Sequence, residues 1–103
     1  MKLLLILSVA FLLAAGGDQI TSDCRCNDTQ MFGRVKFVKY SGDVRIRFVE
    51  HQSPDLRVKF VQFTPRKCGE WQVVDNSEDF TVQVVTGGED FTVQIDPDYP
   101  GIN

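Results

Sequence analysis

Six short segments between residues 35 and 95 alternate apolar and polar side chains with a period of two, and this repeat restricts the chain to a β fold. Each segment is rich in β-branched and aromatic residues and is followed by turn-forming residues, so each predicts one strand with one buried face. The pattern excludes helix over almost all of this region. The predicted strands span residues 35–38, 43–49, 55–61, 70–74, 79–85 and 90–95.

The apolar positions of the six segments predict one shared core. At ~1.5–3 kcal/mol for each large side chain buried, that core offsets the ordering of a small domain. Short strands at this spacing are typical of a small all-β sandwich or barrel. The side chains predicted to point inward are Val35, Phe37, Val44, Ile46, Phe48, Leu56, Val58, Phe60, Trp71, Val73, Phe80, Val82, Val84, Phe91, Val93 and Ile95.

The N-terminal residues 1–17 have the pattern of a signal peptide. Lys2 precedes an apolar run over residues 3–13, and small residues follow at 14–17. The run is short for ~30 Å of hydrocarbon, so a cleaved leader is favoured over an uncleaved anchor. We therefore expect a secreted or periplasmic protein, with a cysteine-containing segment over 18–32 and a repeated-strand domain over 33–103.

Three cysteines, Cys24, Cys26 and Cys68, follow the predicted leader. An oxidising compartment favours at least one disulfide. Cys24 and Cys26 are awkwardly spaced for a mutual bridge, so we expect Cys68 to pair with one of them. The third thiol is then free or intermolecular, or all three join His51 in a metal site. Their spacing matches no standard zinc pattern, so no metal is expected.

The two halves of the predicted domain carry opposite charge. Residues 33–68 contain nine Lys or Arg and three acids, whereas residues 69–103 contain eight acids and no Lys or Arg. One hypothesis is that basic strands and acidic turns compensate each other. The alternative is that neighbouring strands gather the cations into one sheet face that binds an anionic polysaccharide or a membrane surface. The five cations at outward strand positions are Lys36, Arg45, Arg47, Arg57 and Lys59.

No catalytic constellation is found in the sequence. His51 is the one histidine and lies in a predicted turn, the paired acids lie at turns, and Gly87-Gly88 is interpreted as a hairpin turn. A small filled core leaves little room for a substrate pocket. We therefore expect a protein that is not an enzyme and uses no cofactor. Nucleic acid is the least favoured partner, because the chain is predicted to be exported and its strand phenylalanines to point inward.

The repeated units also resemble a known family. The units at 43–49, 55–61, 79–85 and 90–95, the tract Gly69-Glu70-Trp71 and the ending Tyr99-Pro100-Gly101 together resemble the septoil-knot domain family over about residues 33–103. The resemblance implies a small β domain whose backbone is threaded into a seven-crossing knot, with no established activity. The connectors depart from the family's recurring Ser-aromatic-Pro turn, which only Asp98-Tyr99-Pro100 approaches. We expect a durable structural or interaction module; the alternative is a binding protein that uses the basic face.

Overall fold

The computed structural model describes residues 20–102, which form nine β-strands. The predicted leader lies outside these residues. None of the described chain forms a helix that is long and apolar enough to cross a bilayer. The strands are β1 (Arg25–Cys26), β2 (Thr29–Gln30), β3 (Gly33–Val38), β4 (Val44–Phe48), β5 (Leu56–Phe60), β6 (Glu70–Val73), β7 (Phe80–Val84), β8 (Phe91–Ile95) and β9 (Gly101–Ile102).

Strands β3 to β8 close into a barrel of six parallel strands. Their order around the barrel is β3-β7-β4-β8-β5-β6, and β6 pairs with β3 to close it. The two-residue strand β9 runs antiparallel to β5, and β1 and β2 form a separate hairpin. The predicted strands coincide with β3 to β8 to within two residues at each end. The all-β prediction is confirmed, and the architecture is the barrel rather than the sandwich.

Strands from the first half of the domain (β3, β4, β5) alternate all round the barrel with strands from the second half (β6, β7, β8). Within each half, consecutive strands are therefore separated by a strand of the other half, whereas β5 and β6, where the halves join, are direct neighbours. The connection from β3 to β4 steps over β7, where the backbone N–H of Asp43 donates to Thr81 Oγ1. The connection from β7 to β8 steps over β4 in the same way, so Gly87-Gly88 is not the hairpin turn that its sequence predicts.

The strand register explains why such short connections suffice. Val82 on β7 pairs with Phe37 on one side and with Val44 on the other. The end of β3 therefore lies only two strand spacings, or roughly 10 Å, from the beginning of β4. A few residues can span that distance, whereas a parallel crossover usually needs a dozen or more. The same stagger recurs at Val93, which pairs with Phe48 and Leu56.

Inward side chains fill the barrel in layers, as expected for a closed sheet of this size. The central layer receives one residue from each strand, and all of its members are fully buried. Below it, towards the amino ends of the strands, the next layer contains glycines beside the bulky Trp71. A Cβ at Gly69 would lie 2.3 Å from the carbonyl oxygen of Arg57, so this position requires glycine. The central layer consists of Val35, Ile46, Val58, Trp71, Val82 and Val93.

The N-terminal segment closes the barrel at the amino ends of the strands. Ile20, Cys24 and Met31 are buried against the core. The carbonyl oxygen of Met31 accepts hydrogen bonds from Trp71 Nε1–H at 3.1 Å and from the backbone N–H of Gly69 at 3.1 Å. One end of the barrel is thus covered by residues 20–31, and any exposed interior must lie at the other end.

Candidate functional site

The carboxyl ends of the six barrel strands carry an exposed ring of apolar side chains. Each strand contributes its last inward residue, and because all six strands run parallel, these residues lie at the same end. Five of them are 41–53% exposed, and residues 20–102 contain no segment that covers them. The sequence predicted that all six would be buried, which is wrong for those five. This apolar ring consists of Phe37, Phe48, Phe60, Val73, Val84 and Ile95.

Large and small side chains alternate around the apolar ring. The first-half strands each supply phenylalanine, the second-half strands supply valine or isoleucine, and the two kinds of strand alternate. Trp71 forms the floor, with ring centroids 6.4 Å from Phe37 and 6.5 Å from Phe60. A shallow depression of about 640 Å³ opens between Phe48, Phe60 and Ile95. The ring itself suits apolar contact, and the exposed side chains of His51 and Glu50, 3.7 Å apart, stand at the edge of the depression.

The five predicted surface cations do not form one group on the barrel surface. They lie on β3, β4 and β5, and no two of these strands are neighbours, so the expected single basic face does not form. The acidic connections of the second half pass over the same strands. Arg45 lies 3.8 Å from Asp90. The other two arginines have comparable partners: Arg47 is 3.1 Å from Glu89, and Arg57 is 3.6 Å from Asp96.

The opposite charges of the two halves therefore meet across the barrel surface. Lys36 and Lys59 are the two members of the predicted set that form no ion pair within residues 20–102. Each immediately precedes a phenylalanine of the apolar ring. They flank the open end of the barrel on non-adjacent strands, and Lys59 lies opposite Glu70 in the β5–β6 register.

An aspartate immediately before each of four strands ties neighbouring strands together. Each carboxylate accepts the backbone N–H of an outward-facing residue on the adjacent strand, a charge-assisted bond that fixes the stagger between the two. This gives a structural reason for the aspartate that opens four of the repeated units. The four bonds join Thr81 to Asp43 at 2.9 Å, Thr92 to Asp55 at 2.9 Å, Arg34 to Asp79 at 2.8 Å and Arg45 to Asp90 at 2.8 Å.

Other carboxylates hold connections in place. Glu70 Oε1 accepts the backbone N–H groups of Arg66 at 2.9 Å and Lys67 at 3.1 Å, and the bond from Arg66 is the main reason why the pKa of Glu70 lies below its usual value. Asp96 Oδ1 accepts the N–H groups of Tyr99 and Asp98, both at 3.0 Å, and these bonds lower its pKa. A lowered pKa keeps both groups ionised near neutral pH, so they anchor turns and make poor general acids.

The cysteines follow the predicted pairing. Cys24 and Cys68 form a disulfide that joins the N-terminal segment to the connection before β6. Cys26 is unpaired and buried, and burial raises the pKa of its thiol to about 11. His51 is exposed in the β4–β5 connection, and residues 20–102 contain no group of three or more His, Cys, Asp or Glu side chains arranged to hold a metal.

The sequence over residues 28–103 matches the family model of the 7(1) septoil knot domain. The chain belongs to the septoil knot family. The interleaving gives a physical account of the threading in this septoil knot domain, because each half of the chain passes outside strands that the other half contributes. No curated protein is similar enough to count as a relative.

The sequence did not predict that the six strands end together, or that this end of the barrel is exposed. Strand alternation correctly placed the ring residues on the inward face, but it could not show that all six strands end together without a cover. The repeated phrase did contain a usable signal. In each half the last inward position is of one kind, Phe in the first and Val or Ile in the second, and this regularity distinguishes the ring from the mixed layers below.

Proposed function

We propose that this septoil knot domain is a durable, non-catalytic structural or interaction module of an exported protein. The observation that carries the proposal is the filled interior. All six residues of the central layer are fully buried, so their side chains occupy the middle of the barrel where an enclosed substrate pocket would otherwise lie.

The polar groups that could perform chemistry are engaged in structure. A surface depression of about 680 Å³ lies beside the N-terminal segment and is lined by residues that include Arg34 and Asp79, which bond to each other. Glu70 and Asp96 anchor turns, and His51 lies exposed in a connection away from both. None of these arrangements provides a nucleophile next to a base.

Durability follows from the way the halves interlock. No strand of one half can leave the barrel without breaking hydrogen bonds to two strands of the other half. The Cys24–Cys68 disulfide also fixes the segment that covers the closed end. Slow opening protects a protein wherever proteases act faster than the chain recloses, and this protection would serve an exported domain. The leader pattern and the disulfide support export.

Expression of the full chain with its own leader tests this proposal. We expect the recovered protein to begin after residue 17, to contain the disulfide and to resist a broad-specificity protease without denaturant. Cys68→Ser should be cleaved faster, first near its N-terminal segment. Cys26→Ala is the matched control because it removes a thiol without touching the bridge. Cleavage within residues 33–102 of the oxidised protein at the rate of an unfolded chain would refute durability, and retention of the intact leader inside the cell would refute export.

A further inference from the structure

We propose that the apolar ring is a self-association surface, on which a second copy of this chain stacks end to end through a twofold axis perpendicular to the barrel axis. The ring leaves about 400 Å² of apolar side-chain surface exposed, since its five exposed members each retain 41–53% of their area. A patch of this size is within the ~300–600 Å² range in which exposed apolar surface is often functional.

The shape of the ring is complementary to itself. Phenylalanines stand on every second strand, with Val73, Val84 and Ile95 between them. A twofold axis that passes between neighbouring strands places each first-half strand opposite a second-half strand of the other copy. Every phenylalanine then faces a smaller aliphatic side chain of the other copy, so all six positions of each ring have a complementary partner. Such an isologous contact uses the same patch on both copies and closes at the dimer.

The outward-facing residues that precede the ring residues alternate between the two halves in the same way. The outward residue before each ring residue is a cation on the first-half strands and glutamine on the second-half strands. The same stacking therefore places each cation opposite an amide rather than opposite another cation, which avoids like-charge repulsion. The three cations are Lys36, Arg47 and Lys59, and the three glutamines are Gln72, Gln83 and Gln94.

The buried area sets the strength of the contact. Two rings and their borders bury roughly 1,000 Å² in total, below the ~1,200 Å² at which stable specific interfaces begin. The dimer is therefore transient, and its formation requires concentrated protein. It forms where the protein is concentrated, and it goes beyond the proposed function, because a durable monomer resists proteolysis equally well.

Sedimentation velocity on the disulfide-bonded protein, from ~10 µM to ~1 mM, measures this association. We expect the weight-average mass of the wild type to rise towards twice the monomer mass. Val84→Asp, which places a charge in a half-exposed ring position, should remain monomeric. Ile102→Asp is the matched control: it is also an exposed aliphatic residue, but on β9 away from the ring, and it should associate like the wild type.

A second pair of variants tests the geometry and protects against misfolding. Gln83→Glu keeps the oxygen that accepts the Gly42 N–H and adds a charge opposite a cation of the other copy, so it should tighten the dimer roughly threefold to tenfold at low salt. Val73→Gln, on a different strand, should weaken the dimer and replaces Val84→Asp in the test if that variant fails to fold. A wild type that stays monomeric at ~1 mM, or association that Val84→Asp and Val73→Gln leave unchanged, overturns the proposal. Monomers that bind anionic phospholipid vesicles through Val84 also overturn it, since a lipid surface is then the occupant.

Discussion

Replacing Asp55 by alanine should lower the free energy of unfolding by about 2 kcal/mol. Asp55 Oδ2 accepts the backbone N–H of Thr92 at 2.9 Å and the Thr92 hydroxyl at 3.2 Å. Thr92 is only 8% exposed, so its N–H has little access to water once the carboxylate is removed. Hydrogen bonds to charged groups contribute roughly 1.5–3 kcal/mol, and the exposed position of Asp55 places the effect in the lower half of that range.

Asp55→Asn separates the role of the oxygen from that of its charge. The amide keeps an acceptor for the Thr92 N–H, so this variant should lose less than about 1 kcal/mol. Asp75→Ala is the matched control, because Asp75 is exposed and forms no hydrogen bond or ion pair within residues 20–102; its effect should stay within about 0.5 kcal/mol.

Urea unfolding and refolding curves measure these differences in the free energy of unfolding. The samples are incubated until the unfolding curve and the refolding curve coincide. For a domain of this size, 2 kcal/mol also corresponds to a fall of roughly 10 °C in melting temperature. Equal stability of Asp55→Ala and Asp75→Ala would refute the role assigned to the Asp55 carboxylate. That role is also refuted if Asp55→Asn is as damaging as Asp55→Ala, since the acceptor oxygen would then be irrelevant.

Three further predictions follow from the layers, the disulfide and the turn carboxylates. Ile46→Ala, in the buried central layer, should cost about 3 kcal/mol, whereas Ile95→Ala in the exposed ring should cost about 1 kcal/mol or less, as measured by the same unfolding curves. Removing the disulfide with Cys24→Ser and Cys68→Ser together should cost about 2–4 kcal/mol, because the bridge closes a loop of 44 residues; no change in the unfolding midpoint would show that the bridge is not formed. Glu70 has a lowered pKa when folded, so its contribution is present above the ordinary value of 4.5 and is lost as pH falls through the lower folded value; Glu70→Gln should flatten the fall in stability over that acidic range, and an unchanged profile would contradict this.

The sequence predicts the strands well because their signal is local. Alternation places Ile46 and Val58 inward and Arg45 and Arg57 outward without any knowledge of strand order, and the structure confirms all four. The sequence pattern indicates turn roles for the acid pairs that contain Asp79 and Asp90, and it indicates no role for Asp43 or Asp55. Each of these four aspartates has its actual partner on another strand 37–45 residues away, and no local pattern identifies that partner.

Strand order could not be predicted from the sequence, for a physical reason. A connection as short as residues 39–43 normally joins antiparallel neighbours. The hairpin predicted at Gly87-Gly88 rests on the same rule. The stagger at Val82 brings the end of one strand near the start of the next with a third strand between them, so the rule does not hold here. The opposite charges of the two halves were a usable indication of interleaving, since alternation places every basic strand beside strands without Lys or Arg and beneath acidic connections.

The interleaved parallel barrel is tested most directly by through-space proton contacts in the NMR spectrum of the disulfide-bonded protein. We expect contacts from Val82 to both Phe37 and Val44, and none between the backbones of β3 and β4, which β7 separates. Direct backbone contacts between β3 and β4, with the alternating short distances of an antiparallel hairpin, would contradict the interleaved barrel.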